Sequence, residues 1–247
     1  MPRIIEALRL AGPKPAESAG RAAKKAYTER ISHRLAPAVS AMLQERGLKG
    51  CLPNPRGGTE RRYAGGIGAK KVDVSYATPE GGLILAVSIK CIGFRDKKSG
   101  NFQKNVPNRK GDMLAEAVTL HKRFPYAVMG GLFLFDHGAH EDGTARRRTT
   151  FATAHRLFEP FANRRLPSDA PESYEVFGFI LYDVDGNDPK YTYHPLGRPD
   201  QPAPLTIFID SLLERMEERN ADHYELVGGR LQAPKARQDQ DEDSEEG

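Results

Sequence analysis

Cysteine is almost missing from this chain. Cys51 and Cys91 are its only two, far apart and outside any CxxC spacing, which excludes a disulfide framework and a cysteine zinc site. Reduced thiols and a cytoplasmic location are therefore expected. Long apolar runs are missing too: no stretch approaches the roughly 18 consecutive apolar residues of a membrane span. The leading MPRIIEALRLAGPK is too short in its apolar part and too charged to read as a signal peptide, so no membrane partner is expected. GxSxG, HExxH and P-loop patterns do not occur. Gly65-Gly66-Ile67-Gly68 lacks the GxGxxG order and the following helix of a dinucleotide loop, and no small-molecule cofactor is expected. Asp183, Asp185, Asn187 and Asp188 imitate a calcium loop, but Gly186 falls at the wrong place and His194 stands twelfth, so a hairpin turn explains them. His137 and His140 read as an exposed loop pair.

What remains is a chain of 247 residues, 38% hydrophobic and 28% charged, long enough for one sizeable core with appendages. The expected division is an N-terminal segment 1–15, one domain 16–232 (core 16–135, extension 136–232) and a disordered acidic tail 233–247. The net charge of +4 understates the basic body, because Gln238 to Gly247 holds six acids and no base, and without them the rest carries +10. A basic body favours a polyanionic partner through counterion release.

Ala16 to Leu48 reads as helix from the spacing of Ile31, Leu35, Val39, Met42 and Leu43, with Pro37 expected to kink or split it. Met1 to Lys49 holds ten Lys or Arg against four acids, so the polar face of this helix is basic. A Pro/Gly loop at Leu52 to Gly58 leads to a short strand over Arg61 to Ile67 and a turn over Gly68 to Lys70. Val72 to Ala77 is β-branched and aromatic around Asp73. Leu83 to Phe94 alternates at period two, so Ser88 and Lys90 share a face. Pro79-Glu80-Gly81-Gly82 supplies a turn between these runs, and their pairing brings Asp73 near Ser88 and Lys90.

A basic polar stretch follows, in which Arg95, Lys97, Lys98, Lys104, Arg109 and Lys110 face the single acid Asp96 and are candidate nucleic-acid contacts. Pro107 to Phe124 is an amphipathic helix, and Tyr126 to Phe135 reads as a buried central strand. Asp136 to Thr150 is a polar loop containing Arg146-Arg147-Arg148. Thr153 to Asn163 and Ile207 to Arg219 suggest helices, and Tyr174 to Val184 a strand. The class is α/β.

Asp73 followed by Ser88-Ile89-Lys90, in this order of elements, resembles the PD-(D/E)xK nuclease superfamily, the restriction-endonuclease-like fold. The resemblance covers roughly Ala16 to Phe135. It implies an αβββαβ core with a central mixed sheet flanked by helices, followed here by C-terminal additions. Lys71-Val72 precedes Asp73 where the family name puts proline next to the acid, and Ser88 stands where a metal-binding acid is normal. One carboxylate holds Mg²⁺ poorly. Relatives in that family with serine there move the acid to the following helix, where Glu116 and Asp112 share a face; Glu116 sits nearer the apolar side and is preferred. Glu45 and Glu60 are outside candidates.

The resemblance thus implies a DNA endonuclease of restriction or defence type that uses Mg²⁺ or Mn²⁺, with Asp73, Glu116 and the Ile89 carbonyl as ligands. Lys90 would orient or deprotonate water or stabilise the phosphate, and Ser88 would at most bond a bound water. The alternatives are a non-catalytic nucleic-acid-binding protein on the same fold and a repair or junction-resolving nuclease. A homodimer is the oligomer that two symmetric cuts would favour.

Overall fold

A computed structural model describes residues 2–54, 60–186 and 188–234. In chain order its elements are α1 Pro2–Leu10, α2 Arg21–Glu45, β1 Arg61–Ala64, β2 Ala69–Val72, β3 Val74–Thr78, β4 Gly82–Ile92, α3 Val106–His121, β5 Val128–Asp136, α4 Thr150–Phe158, β6 Val176–Asp183, β7 Lys190–Pro195, α5 Thr206–Arg219, β8 Glu225–Val227 and β9 Arg230–Gln232. Short 3₁₀ turns precede α3 and follow β5 and α4. Most of the expected acidic tail, part of the Leu52 to Gly58 loop and Asn187 lie outside the described residues.

Strands β3 to β7 form a mixed five-stranded sheet in sequence order. The outer pairs β3–β4 and β6–β7 are antiparallel, while β4–β5 and β5–β6 are parallel. Parallel neighbours need a crossover, which α3 supplies between β4 and β5 and α4 between β5 and β6. Helices lie on both faces. Leu85, Val87, Ile89 and Cys91 of β4 pack with Leu8 of α1, Ile31, Leu35 and Val39 of α2 and Leu212 of α5. Ala86 and Ile92, with Met129, Phe133 and Phe135 of β5, pack with Met113, Ala117 and Leu120 of α3 and Phe151 and Phe158 of α4. The period of two along β4 therefore sorts its residues between two apolar layers, as a strand buried on both sides requires.

Four details differ from the sequence expectation. Pro37 lies inside α2 without splitting it. A proline costs a helix interior about 3 kcal/mol, but Ile31, Leu35, Val39 and Leu43 on the same helix are 0% exposed, and each such side chain contributes about 1.5–3 kcal/mol on burial. Packing outweighs the proline. The N-terminal segment holds a helix, because Ile4, Ala7, Leu8 and Ala11 recur at helical spacing and are buried. The turn foreseen at Gly68 to Lys70 is largely strand: β1 and β2 form a separate antiparallel ribbon. Its Gly65 approaches the Thr119 backbone so closely that a Cβ would collide, and the Gly66 amide donates to the Thr119 carbonyl at 2.8 Å. Strands β7, β8 and β9, six, three and three residues long, are too short to show a period of two in the sequence. The hairpin turn expected at Asp183 to Asp188 does join β6 to β7. No helix among the described residues is long and apolar enough to cross a membrane.

Candidate functional site

Val72 ends the small ribbon and Val74 begins the main sheet, and both are buried. The chain bends at the residue between them. Asp73 is thus not within a strand but at the junction of two, where its side chain reaches across the edge of β4. The β3–β4 register starts at Val74 opposite Val87, so Ile89 has no strand partner on that side. Its amide must find an acceptor. Asp73 Oδ2 provides it at 2.6 Å, and the same oxygen accepts from Lys90 Nζ at 3.3 Å.

Lys90 and Ser88 point toward α3, where Met113, Glu116, Ala117 and Leu120 are buried. Glu116 therefore sits on the apolar stripe of its helix. Its Oε2 accepts from Ser88 Oγ at 3.2 Å and from Lys90 Nζ at 3.4 Å. Its other oxygen, Oε1, is buried with no hydrogen-bond partner among the described residues. Asp112 faces outward and pairs with Arg109 at 3.3 Å. Glu45 pairs with Arg3 at the far end of α2. Glu60 pairs with Lys71 and approaches His33 Nδ1 at 3.5 Å. Of the four acids considered as a second carboxylate, Glu116 is the one in contact with Lys90.

Burial alone would lower the Lys90 pKa, but Glu116 and Asp73 outweigh it and hold the ammonium above its ordinary value. Lys90 remains charged at neutral pH. Burial raises the Glu116 carboxyl and the Asp73 charge adds to the rise; Lys90 and Ser88 oppose without reversing it. Tyr174, fully buried, closes the inner end by donating from its hydroxyl to the Met113 carbonyl at 2.9 Å. Burial and then the Glu116 charge push its phenol well above the usual range. A lone tyrosine next to a strand carries no sequence signal for such a place.

The outer side of the site is a cleft of about 560 Å³, lined by Asp73, Ile89 and Lys90 opposite Glu29, Arg30 and His33 of α2, with Glu60 and Arg109 at its margin. A larger groove of about 770 Å³ between α1 and α2 has a mainly apolar lining, including Ile5, Leu10, Pro37 and Ala38, and none of the site residues reaches it. Among the six basic candidates only Arg109 lines the cleft. Lys110 lies over the Phe161 ring at 4.9 Å. Arg95 donates to the Gly100 and Gly138 carbonyls at 3.0 and 3.3 Å. Lys104 pairs with Asp96 at 2.6 Å, and Lys97 and Lys98 are exposed on the same loop.

Among the described residues no group of three or more His, Cys, Asp or Glu side chains is placed to hold a metal ion. Two carboxylates do converge, with only one ammonium between them. Glu116 Oε1 lacks a donor among the described residues. Two carboxylates supply only part of the oxygen shell of a hard divalent cation, which would have to be completed by water or main-chain oxygen. Comparison with family models, with curated proteins and with solved structures finds no match.

Proposed function

We propose that this chain is a Mg²⁺-dependent DNA endonuclease of restriction or defence type on a restriction-endonuclease-like fold, and that Asp73, Lys90 and Glu116 are its working residues. One observation carries the reading. Three segments remote in sequence place two carboxylates within 3.3 and 3.4 Å of one lysine amine, with Asp73 and Lys90 lining a cleft that also holds Arg109 and with Glu116 buried behind them. An acid, a lysine and a second acid brought together beside a cleft that also carries Arg30 and Arg109 suit phosphodiester hydrolysis. Asp73 and Glu116 would hold Mg²⁺ or Mn²⁺, with the Ile89 carbonyl as a further oxygen. When bound, that ion supplies Lewis-acid polarisation of a phosphate oxygen. Lys90, kept charged by its neighbours, would stabilise negative charge on the phosphate rather than accept a proton. Ser88 would hold the Glu116 carboxylate in orientation from within the core.

One feature favours a second reading. The Lys90 ammonium spans both carboxylates, as it would in a purely structural ion triad of a non-catalytic DNA-binding protein. Incubating plasmid and branched DNA with the protein, in Mg²⁺ or in chelator, separates the two. Metal-dependent cleavage abolished by Asp73→Ala and by Lys90→Ala is the expected result; binding without cutting under every divalent metal would establish the second reading.

A further inference from the structure

Strands β4 and β5 are parallel neighbours, so the loops leaving their carboxyl ends, 93–102 and 137–149, emerge side by side at one end of the sheet. Lys90 lies two residues before the end of β4, which puts the candidate site at the same end. Both loops are basic. The first leads through Lys97 and Lys98 to Lys104, and the second carries Arg146, Arg147 and Arg148.

Like-charged loops repel, yet these two are fastened together by one buried acid. Asp142 is 6% exposed. Its Oδ2 accepts from the Phe102 amide of the first loop at 3.0 Å and from the Thr150 hydroxyl, while Oδ1 accepts from the Thr150 amide at 2.7 Å. Its carbonyl accepts from Arg147 Nη2. Arg95 adds a second tie to the Gly138 carbonyl, and Gln103 Nε2 a third to Thr153 Oγ1 at 3.4 Å. A buried carboxylate is costly unless its oxygens are bonded, and here both are. Thr144 and Arg147 exchange backbone hydrogen bonds at 2.8 and 3.2 Å, a tight turn that presents Arg146 at its tip. Among the described residues, none of Lys97, Lys98, Arg146 or Arg148 has a carboxylate within ion-pair distance, and all four are exposed.

We propose that the two loops stapled by Asp142 form a docking surface for duplex DNA, with Lys97, Lys98, Arg146 and Arg148 on backbone phosphates beside the Asp73–Lys90 cleft. The polyanion chemistry stands on the loops themselves; the choice of DNA rests on the nuclease reading above. A membrane is the poorer partner, because the exposed large apolar side chains Leu10, Ile67, Tyr126, Leu166, Ile207 and Val227 all lie outside both loops.

The test is fluorescence anisotropy with a short DNA duplex and the full chain, in chelator so that nothing is cut, across a salt series. Arg146→Ala with Arg148→Ala, and Lys97→Ala with Lys98→Ala, should each weaken binding about tenfold or more and lower the slope of log affinity against log salt by about 2. All four positions are exposed, so these variants fold. Asp142→Ala should lose affinity while every cation is retained. Unchanged affinity and slope in both double variants overturns the surface, as does tighter binding to duplex RNA or to phosphatidylserine vesicles than to the duplex. The nuclease reading fails separately. Loss of binding in the loop variants of a chain that never cuts in Mg²⁺ keeps the surface and sinks the nuclease. Cleavage that persists alongside unaltered binding does the reverse.

Discussion

Glu116 and Glu175 are both buried carboxylates, 5% and 2% exposed, and they are held in opposite ways. Glu175, just before β6, accepts from Arg164 Nη1, Arg219 Nη1 and the Met129 amide, each at 2.7 Å, and faces His121 Nε2 at 3.4 Å. It ties the start of β5, the end of α5 and the 164 loop into one network. Burial would raise its pKa, but His121, Arg219 and the amide outweigh that and lower it. Glu116 has its two partners on one oxygen, none on the other, and a raised pKa. A saturated carboxylate holds a framework. An unsaturated one keeps capacity for a ligand.

The sharpest way to break the comparison is Glu175→Ala. It strands Arg164 and Arg219, whose side chains are 1% and 2% exposed, and leaving buried charge without its partner costs about 3–5 kcal/mol. Urea denaturation should show a loss of that size; a loss below about 1 kcal/mol would mean that the network is not the framework. Second in size is the response to metal. Mg²⁺ at a hundredfold its Kd stabilises a native state that binds it by about 2.7 kcal/mol. Thermal unfolding should show the shift in the native chain and not in Asp73→Asn or Glu116→Gln, and an equal shift in all three would place the ion elsewhere.

Acid should separate the two carboxylates by sign. With its folded pKa lowered, Glu175 gives stability that is complete above the ordinary glutamate value of 4.5 and is lost as pH falls through the folded value. Glu116, raised, contributes in full below 4.5 and loses that contribution as pH rises through its folded value. Denaturation of each Glu→Gln variant beside the native chain, at about pH 4 and pH 7, should therefore give differences that move in opposite directions. Parallel movement would contradict the assigned shifts.

Much of the candidate site's geometry is legible in the sequence because it is local. The alternation of β4 puts Ser88 and Lys90 on one face, and the turn at Pro79 to Gly82 returns the chain so that Asp73 meets them. Glu116 stands out as an acid on the apolar stripe of α3. What is illegible depends on distant partners. Asp73 takes its place from the end of a separate ribbon held against Thr119, and Asp142 and Glu175 gather donors from segments tens of residues away. Periodicity describes the element a residue belongs to, not the atoms that arrive from elsewhere. The division of the basic residues is hidden for the same reason: Lys110 turns to Phe161 and Arg109 to the cleft, though they are adjacent in sequence.

The smallest expected effect is the most discriminating. Glu116→Gln keeps a carbonyl oxygen to accept from Ser88 and Lys90, removes the charge that burial disfavours, and leaves Lys90 paired with Asp73 at 3.3 Å. Because Oε1 has no donor to lose, stability should change by no more than about 1 kcal/mol. If the proposed nuclease reading holds, cleavage should fall about a hundredfold or more. Denaturation and a plasmid assay on one preparation read both. A large loss of stability would make Glu116 a second framework carboxylate like Glu175, while retained cleavage with intact stability would move the second acid to Glu60, which shares the cleft with Asp73.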